Sequence, residues 1–117
     1  MYYQTETDPR GAIGLGGKPC AATSPAIDYQ TGKTVWKHIY PALGGGMGQG
    51  MLTTAGRLLF AGDISGNIVG YDAGSGKPLW HSYLGSVVSN APETYLLDGR
   101  QYLLTAAGDT SYAFMLY

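Results

Sequence analysis

The sequence predicts an all-β fold made of short, meandering, antiparallel strands. Three observations lead there. No segment carries an apolar stripe at 3.6-residue spacing over three turns. Gly and Pro cut the chain into short runs rich in β-branched and aromatic residues. One of those runs, with the turn before it, recurs at a fixed offset.

Nineteen of the 117 residues are Gly, more than twice the usual share of about 7 %. Residues 11–25 (GAIGLGGKPCAATSP) and 41–50 (PALGGGMGQG) concentrate Gly and Pro without periodicity and read as loops. Between and after them the expected strands are 24–28, 34–40, 49–54, 57–62, 67–72, 78–84, 92–97, 101–107 and 111–116, with residues 1–5 as a further strand. Asp98-Gly99 between 94–97 and 101–104 is a tight-hairpin signal, because Gly has no Cβ and Asp tolerates the left-handed region. Ala55-Gly56 is expected to turn the chain between 51–54 and 57–60 in the same way, less ideally.

Composition removes several function classes. Seven Lys+Arg against eight Asp+Glu give a net charge of -1, and no basic cluster exists to neutralise phosphates, so nucleic acid is not an expected partner. A 44 % hydrophobic content with 13 % charged residues is the wrong composition for disorder. No run of 18 apolar residues forms a membrane span. The start, Met1-Tyr2-Tyr3-Gln4-Thr5-Glu6, lacks the basic and apolar regions of a signal peptide. Cys20 is alone, which leaves no internal disulfide, zinc or haem-attachment pattern and gives it a structural or incidental reading.

The repeat is the informative feature. Residues 26–36 (AIDYQTGKTVW) align with 70–80 (GYDAGSGKPLW) at an offset of 44, so that Asp28, Gly32, Lys33 and Trp36 coincide with Asp72, Gly76, Lys77 and Trp80. A second match lays 55–71 on 98–114 at an offset of 43, pairing Gly56-Arg57 with Gly99-Arg100 and Val69-Gly70-Tyr71 with Tyr112-Ala113-Phe114. A period of about 40–45 residues holding four short strands is one blade of a β-propeller. The Asp is expected to end a strand and accept hydrogen bonds from the turn, and the Gly to adopt a conformation a Cβ forbids. The Trp then returns on the outer strand against a neighbouring sheet. Burying such a ring contributes roughly 2–4 kcal/mol, which makes Asp28, Gly32, Trp36, Asp72, Gly76 and Trp80 candidate inter-blade rivets. The plainer alternative makes both Trp residues ordinary outer-strand aromatics.

These residues resemble a known family. The pattern A/G-x-D-x-x-x-G-K-x-x-W resembles the tryptophan-docking motif of the quinoprotein (PQQ-dependent) alcohol and sugar dehydrogenases, which are eight-bladed propellers. LTTAGRLLFAGDISGN at 52–67, GKPLWH at 76–81 and SNAPETYLLDGRQY at 89–102 are similar to stretches near that family's C-terminus. The resemblance covers 22–117 and makes the chain look like the last quarter of such an enzyme. It implies a partial β-propeller of about two to two and a half four-stranded antiparallel blades: 1–40 as the last strands of one blade, 48–84 as a complete blade and 91–117 as an incomplete final one.

It also implies a periplasmic oxidoreductase that passes electrons from alcohols or sugars to pyrroloquinoline quinone held by Ca²⁺ or a lanthanide. The family's metal ligands, catalytic Asp and adjacent-Cys disulfide lie upstream of this stretch, so no catalytic and no metal-ligating residue is assigned, and the cofactor is not expected to bind this chain alone. Gly48 aligns with a Trp that lies near the quinone in relatives. Gly48, Gln49 and Asn90 are the candidate cofactor-lining residues. In the competing reading, the Gly serves a turn and Asn90 caps a strand. His38 and His81 follow the two Trp residues on outer strands and carry no expected metal role. Met115 stands where the repeat has its Asp, and the family typically closes its last blade with a strand from the N-terminal part of the chain. The expected partners are therefore the remaining blades of a longer enzyme or further copies of this chain. The class-distinct alternative is a non-catalytic propeller module that self-assembles.

Overall fold

A computed structural model describes residues 2–3, 6–7, 21–41 and 50–115, and every regular element among them is a strand. The described residues divide into two compact units.

The first unit is built on β3 (Ala21–Ile27), which lies between two edges. On one side β1 (Tyr2–Tyr3) and β2 (Glu6–Thr7) pair with it antiparallel in the same register, Tyr2 opposite Ile27 and Thr7 opposite Ala22. On the other side runs β4 (Thr34–Pro41), with Ala26 opposite Trp36 and an irregularity between Ala26 and Ile27. The loop expected over 11–25 is therefore too long. Its last five residues are strand, because β4 supplies an unbroken row of cross-strand partners down to Ala21 opposite Pro41. That pairing outweighs the weak local signal of Ala-Ala and Pro25. Residues 42–49, most of the second expected loop, lie outside the described residues, as does Cys20.

The second unit contains two sheets. β5 (Met51–Thr53), β6 (Leu58–Gly62), β7 (Asn67–Asp72) and β8 (Pro78–Tyr83) form a four-stranded meander in chain order. β9 (Glu93–Leu97), β10 (Arg100–Ala107) and β11 (Thr110–Met115) form a three-stranded one. The β7–β8 ladder places Gly70 opposite Trp80, followed by an irregularity before Tyr71. This is the feature seen between Ala26 and Ile27, one repeat later. Tyr95 and Tyr102, directly opposed on β9 and β10, stack with ring centroids 5.2 Å apart.

The two expected hairpin turns differ. Asp98 (φ 51°) and Gly99 (φ 74°) both take positive φ between Leu97 and Arg100, as a two-residue turn of that hand requires. Ala55 and Gly56 are the central residues of the turn, as expected, but the left-handed residue is the next one, Arg57 (φ 62°). The connection there is longer. The Thr54 N–H donates to the Leu58 carbonyl (2.9 Å), the Arg57 N–H to the Thr54 carbonyl (3.1 Å), and the Leu58 N–H to Thr54 Oγ1 (3.3 Å). A residue that closes such a loop takes the left-handed bend itself.

The core of this unit joins its two sheets. Phe60 and Ile68 from the first sheet, Leu103 and Ala107 from the second, and Leu84 and Val88 from the connecting segment are all buried in one cluster, with Leu52, Leu58, Tyr112 and Phe114 packed around it. Strand alternation explains the choice: Leu103, Thr105 and Ala107 share one face of β10, and all three are buried.

Candidate functional site

The repeated turn is the better-defined candidate. In its first copy the Asp28 N–H donates to the Lys33 carbonyl (2.9 Å), and the Gly32 N–H donates to the Asp28 carbonyl (2.7 Å). The Asp28 carboxylate accepts the Gln30 N–H at 2.9 Å. That hydrogen bond holds the carboxyl below its ordinary value of 3.8, against a smaller opposing effect of burial and with added help from the Thr31 hydroxyl and N–H. In the second copy the Asp72 N–H donates to the Lys77 carbonyl, again at 2.9 Å. Gly32 (φ 67°) and Gly76 (φ 71°) both take the left-handed conformation.

The two glycines differ in what surrounds them. A Cβ on Gly32 would meet nothing within 4 Å, whereas one on Gly76 would lie 2.6 Å from Trp36 Cδ2. The Trp36 indole therefore sits on the bare Cα of Gly76. His38 stands beside it, rings 5.3 Å apart at 63°. His38 Nε2 lies 2.6 Å from the Gly76 carbonyl oxygen. A carbonyl only accepts, so Nε2 carries the proton and donates. Trp80 packs differently. Its ring meets Phe114 edge to face (5.1 Å, 74°) and Phe60 at 6.5 Å, and it remains 40 % exposed.

The second candidate is the end of the second unit where Asn90 lies. There a turn is organised by Asp63, whose Oδ1 accepts the Asn67 N–H (2.8 Å) and whose Oδ2 accepts from Asn67 Nδ2 (2.9 Å). The segment from Leu84 to Ala91 crosses this end. The Leu84 N–H donates to the Gly66 carbonyl (2.7 Å), the Val88 N–H to the Asp63 carbonyl (3.3 Å), and the Gly108 N–H to the Val87 carbonyl (3.2 Å). The Tyr112 hydroxyl donates to the Leu84 carbonyl (3.0 Å). Asn90 is exposed, yet both ends of its carboxamide are engaged: Oδ1 accepts the Ala106 N–H (2.8 Å) and Nδ2 donates to the Ala91 carbonyl (3.0 Å).

Of the three residues picked from the sequence as cofactor-lining, only Asn90 is described; Gly48 and Gln49 lie outside the described residues. Among the described residues no group of three or more His, Cys, Asp and Glu side chains gathers as a metal-ligand set. His81 lies exposed on β8 and His38 is taken up by Gly76. Sequence reasoning missed Val88, which fills the space beside Gly62 and pairs with Ala107. Its only signal was a Val-Val pair inside a stretch of Gly and Ser. No helix among the described residues is long and apolar enough to cross a membrane.

Residues 24–115 match the family model PQQ_2, described as "Outer membrane protein assembly factor BamB". The quinohemoprotein alcohol dehydrogenase ADH-IIG of Pseudomonas putida is 36 % identical over 110 residues, which is 92 % of this chain and 15 % of that protein. The crystal structure of the quinohemoprotein alcohol dehydrogenase of Comamonas testosteroni superposes with a TM-score of 0.70 at 33 % identity over 81 % of this chain and 14 % of that one. A europium-containing methanol dehydrogenase superposes at 0.63 and 32 % identity over 72 % of this chain and 14 % of that one. The chain thus spans about one seventh of these relatives' length rather than the expected quarter. Antiparallel sheets packed through an apolar core, with these neighbours, make the fold a partial β-propeller. The chain belongs to the PQQ_2 family and, over about one seventh of their length, is similar to quinoprotein alcohol dehydrogenases.

Proposed function

We propose that the chain supplies the last blades of a periplasmic PQQ-dependent dehydrogenase that oxidises alcohols or sugars and delivers the electrons to the quinone. The similarity to the Pseudomonas putida enzyme over 92 % of the chain carries this reading. Bound PQQ and its Ca²⁺ or lanthanide ion would supply the redox chemistry. Among the described residues no group of His, Cys, Asp and Glu fits the ion; the part this reading gives the chain is structural. In this reading the repeated turns with Trp36 and Trp80 are carried as blade-docking candidates, and Gly48, Gln49 and Asn90 as candidate cofactor-lining residues. For Asn90 the bonds to Ala106 and Ala91 support positioning of backbone at that end. The expected partners are the remaining blades of the longer protein.

A second reading, a propeller module without redox chemistry, is favoured by the description of the matching family model, an assembly factor. Quinone binding separates the two. The 117-residue chain mixed with PQQ and Ca²⁺ is expected to give no dye reduction with any alcohol. The longer protein containing it is expected to show quinone absorbance and an upward thermal shift. Turnover by the chain alone overturns the structural role, and a longer protein that ignores PQQ leaves the non-catalytic module.

A further inference from the structure

We infer that β9 is an interface to a second copy of this chain, in which the two β9 strands pair antiparallel, edge to edge, with Tyr95 of one copy opposite Tyr95 of the other. The inference goes beyond the proposed function and does not rest on it.

Among the described residues β9 (Glu93–Leu97) pairs with β10 alone, which leaves one of its edges free. A free edge is ordinarily blunted by Pro, by Lys, by a bulge or by shortness. β8 begins at Pro78, β4 carries Lys37 and ends at Pro41, and β5 has only three residues. β9 carries none of these devices. Its five residues pair with β10 in unbroken register, and Tyr95, Leu96 and Leu97 are 39 %, 74 % and 52 % exposed. Residues 94–97 (TYLL) hold no charge.

This edge is complementary to itself. The two-residue turn at Asp98-Gly99 makes Leu97 and Arg100 a hydrogen-bonded pair, and the alternation of an antiparallel ladder makes Tyr95 and Tyr102 another. Thr94 and Leu96 therefore turn their N–H and C=O groups to the free side. A second β9 running antiparallel meets Thr94 with its own Leu96 and Leu96 with its own Thr94, so each outward group finds a partner. The same register sets Tyr95 across from its copy. Tyr95 already stacks on Tyr102, the rings 5.2 Å apart and 9° from parallel, and the pairing continues that row into the second copy.

Charge matches as well. In this register Glu93 of the second copy stands opposite Leu97, and Arg100 flanks Leu97 on its other side. The two Cα atoms are then about 10 Å apart, two strand spacings, which an Arg and a Glu side chain reach across. Both residues are exposed, and the Arg100 guanidinium bonds a thioether, Met115 Sδ at 3.7 Å, a weak acceptor that a carboxylate displaces. Bonding groups, aromatic row, acid and base all lie along one edge, so the partner that fits it is another copy of that edge. A two-fold contact of this kind closes on itself and gives a dimer rather than a fibre.

The test uses the full 117-residue chain with Cys20→Ser. Sedimentation equilibrium is expected to show a monomer–dimer equilibrium, and amide exchange at Thr94 and Leu96 is expected to slow as the chain is concentrated. Tyr95→Cys in this background is expected to cross-link two copies under mild oxidation. Directly opposed residues of a non-hydrogen-bonded pair hold their Cα atoms about 4.5 Å apart, within disulfide reach. Leu97→Cys, which faces Glu93, is expected to cross-link far less. Leu96→Lys, at a position too exposed to disturb folding, is expected to weaken the dimer about tenfold. A chain that stays monomeric at every concentration overturns the inference. So does a dimer whose concentration-dependent protection falls on a strand other than β9, or equal cross-linking from positions 95 and 97. No quinone enters these measurements, so they read the same whether or not the dehydrogenase reading holds.

Discussion

Trp36 Cδ2 lies 2.6 Å from the point where Gly76 would carry a Cβ. A turn residue 40 positions downstream is thereby required to be Gly for two separate reasons, backbone conformation and the flat ring against it. Gly32, its counterpart in the first copy, answers to conformation alone.

That contrast predicts the effect of alanine. Gly32→Ala is expected to cost about 1–2 kcal/mol from the left-handed backbone. Gly76→Ala is expected to cost about 1–3 kcal/mol beyond that, because the indole must move. Urea unfolding of the two variants checks the difference, and equal losses would show that Trp36 repacks freely.

The Thr105 hydroxyl, between Leu103 and Ala107 on β10, is fully buried and finds no hydrogen-bond partner among the described residues. Replacing it with a group of the same shape removes that desolvation penalty. Thr105→Val is expected to stabilise by about 1 kcal/mol, while Thr105→Ser, which keeps the hydroxyl and loses the methyl, destabilises by a similar amount. Thermal unfolding of both variants gives the signs.

Arg57 holds φ 62° at the end of the β5–β6 connection. The left-handed conformation costs a residue with a Cβ about 1–2 kcal/mol, and the extra freedom of Gly in the unfolded chain returns about 0.5–1 kcal/mol of that. Arg57→Gly is expected to gain up to about 1 kcal/mol in urea unfolding. The same change at Asp98, which an Asp tolerates better, is expected to gain less.

Asp28 links stability to pH. Its carboxyl is held below the ordinary value of 3.8, mainly by the Gln30 N–H. The folded state therefore favours the charged form. The contribution is complete above the unfolded-state pKa and fades as pH falls through the lower folded one. The group is solvent-exposed, so the effect is small. In urea midpoints followed from neutral pH into the acid range, Asp28→Asn is expected to lie slightly below the unchanged chain at neutral pH and to converge with it in acid.

Strand positions were legible wherever local chemistry and pairing agree. Asp98-Gly99 named its own turn because two successive positive φ values exclude most residues. The repeated Asp, Gly and Trp marked the β3–β4 and β7–β8 connections. Legibility failed where a distant partner decides. β3 begins at Ala21 because β4 pairs that far, which Ala-Ala-Thr-Ser-Pro does not announce. Arg57, after the Ala55-Gly56 turn, takes the left-handed bend because the Thr54 hydrogen bonds fix the loop length. Asn90 drew notice for its place beside a strand, but its link to Ala106 depends on how the 84–91 segment lies across the sheets.

That segment changes how the second unit is expected to come apart. Small and polar over most of its length, it looks like a natural point for protease entry. Yet Val88 is wedged beside Gly62 and pairs with Ala107, while its neighbours bond to turns of both sheets. Neither sheet can fray without pulling this clasp out of the other, so β5–β8 and β9–β11 melt as a single cooperative body, and nicking between Tyr83 and Glu93 waits for global unfolding.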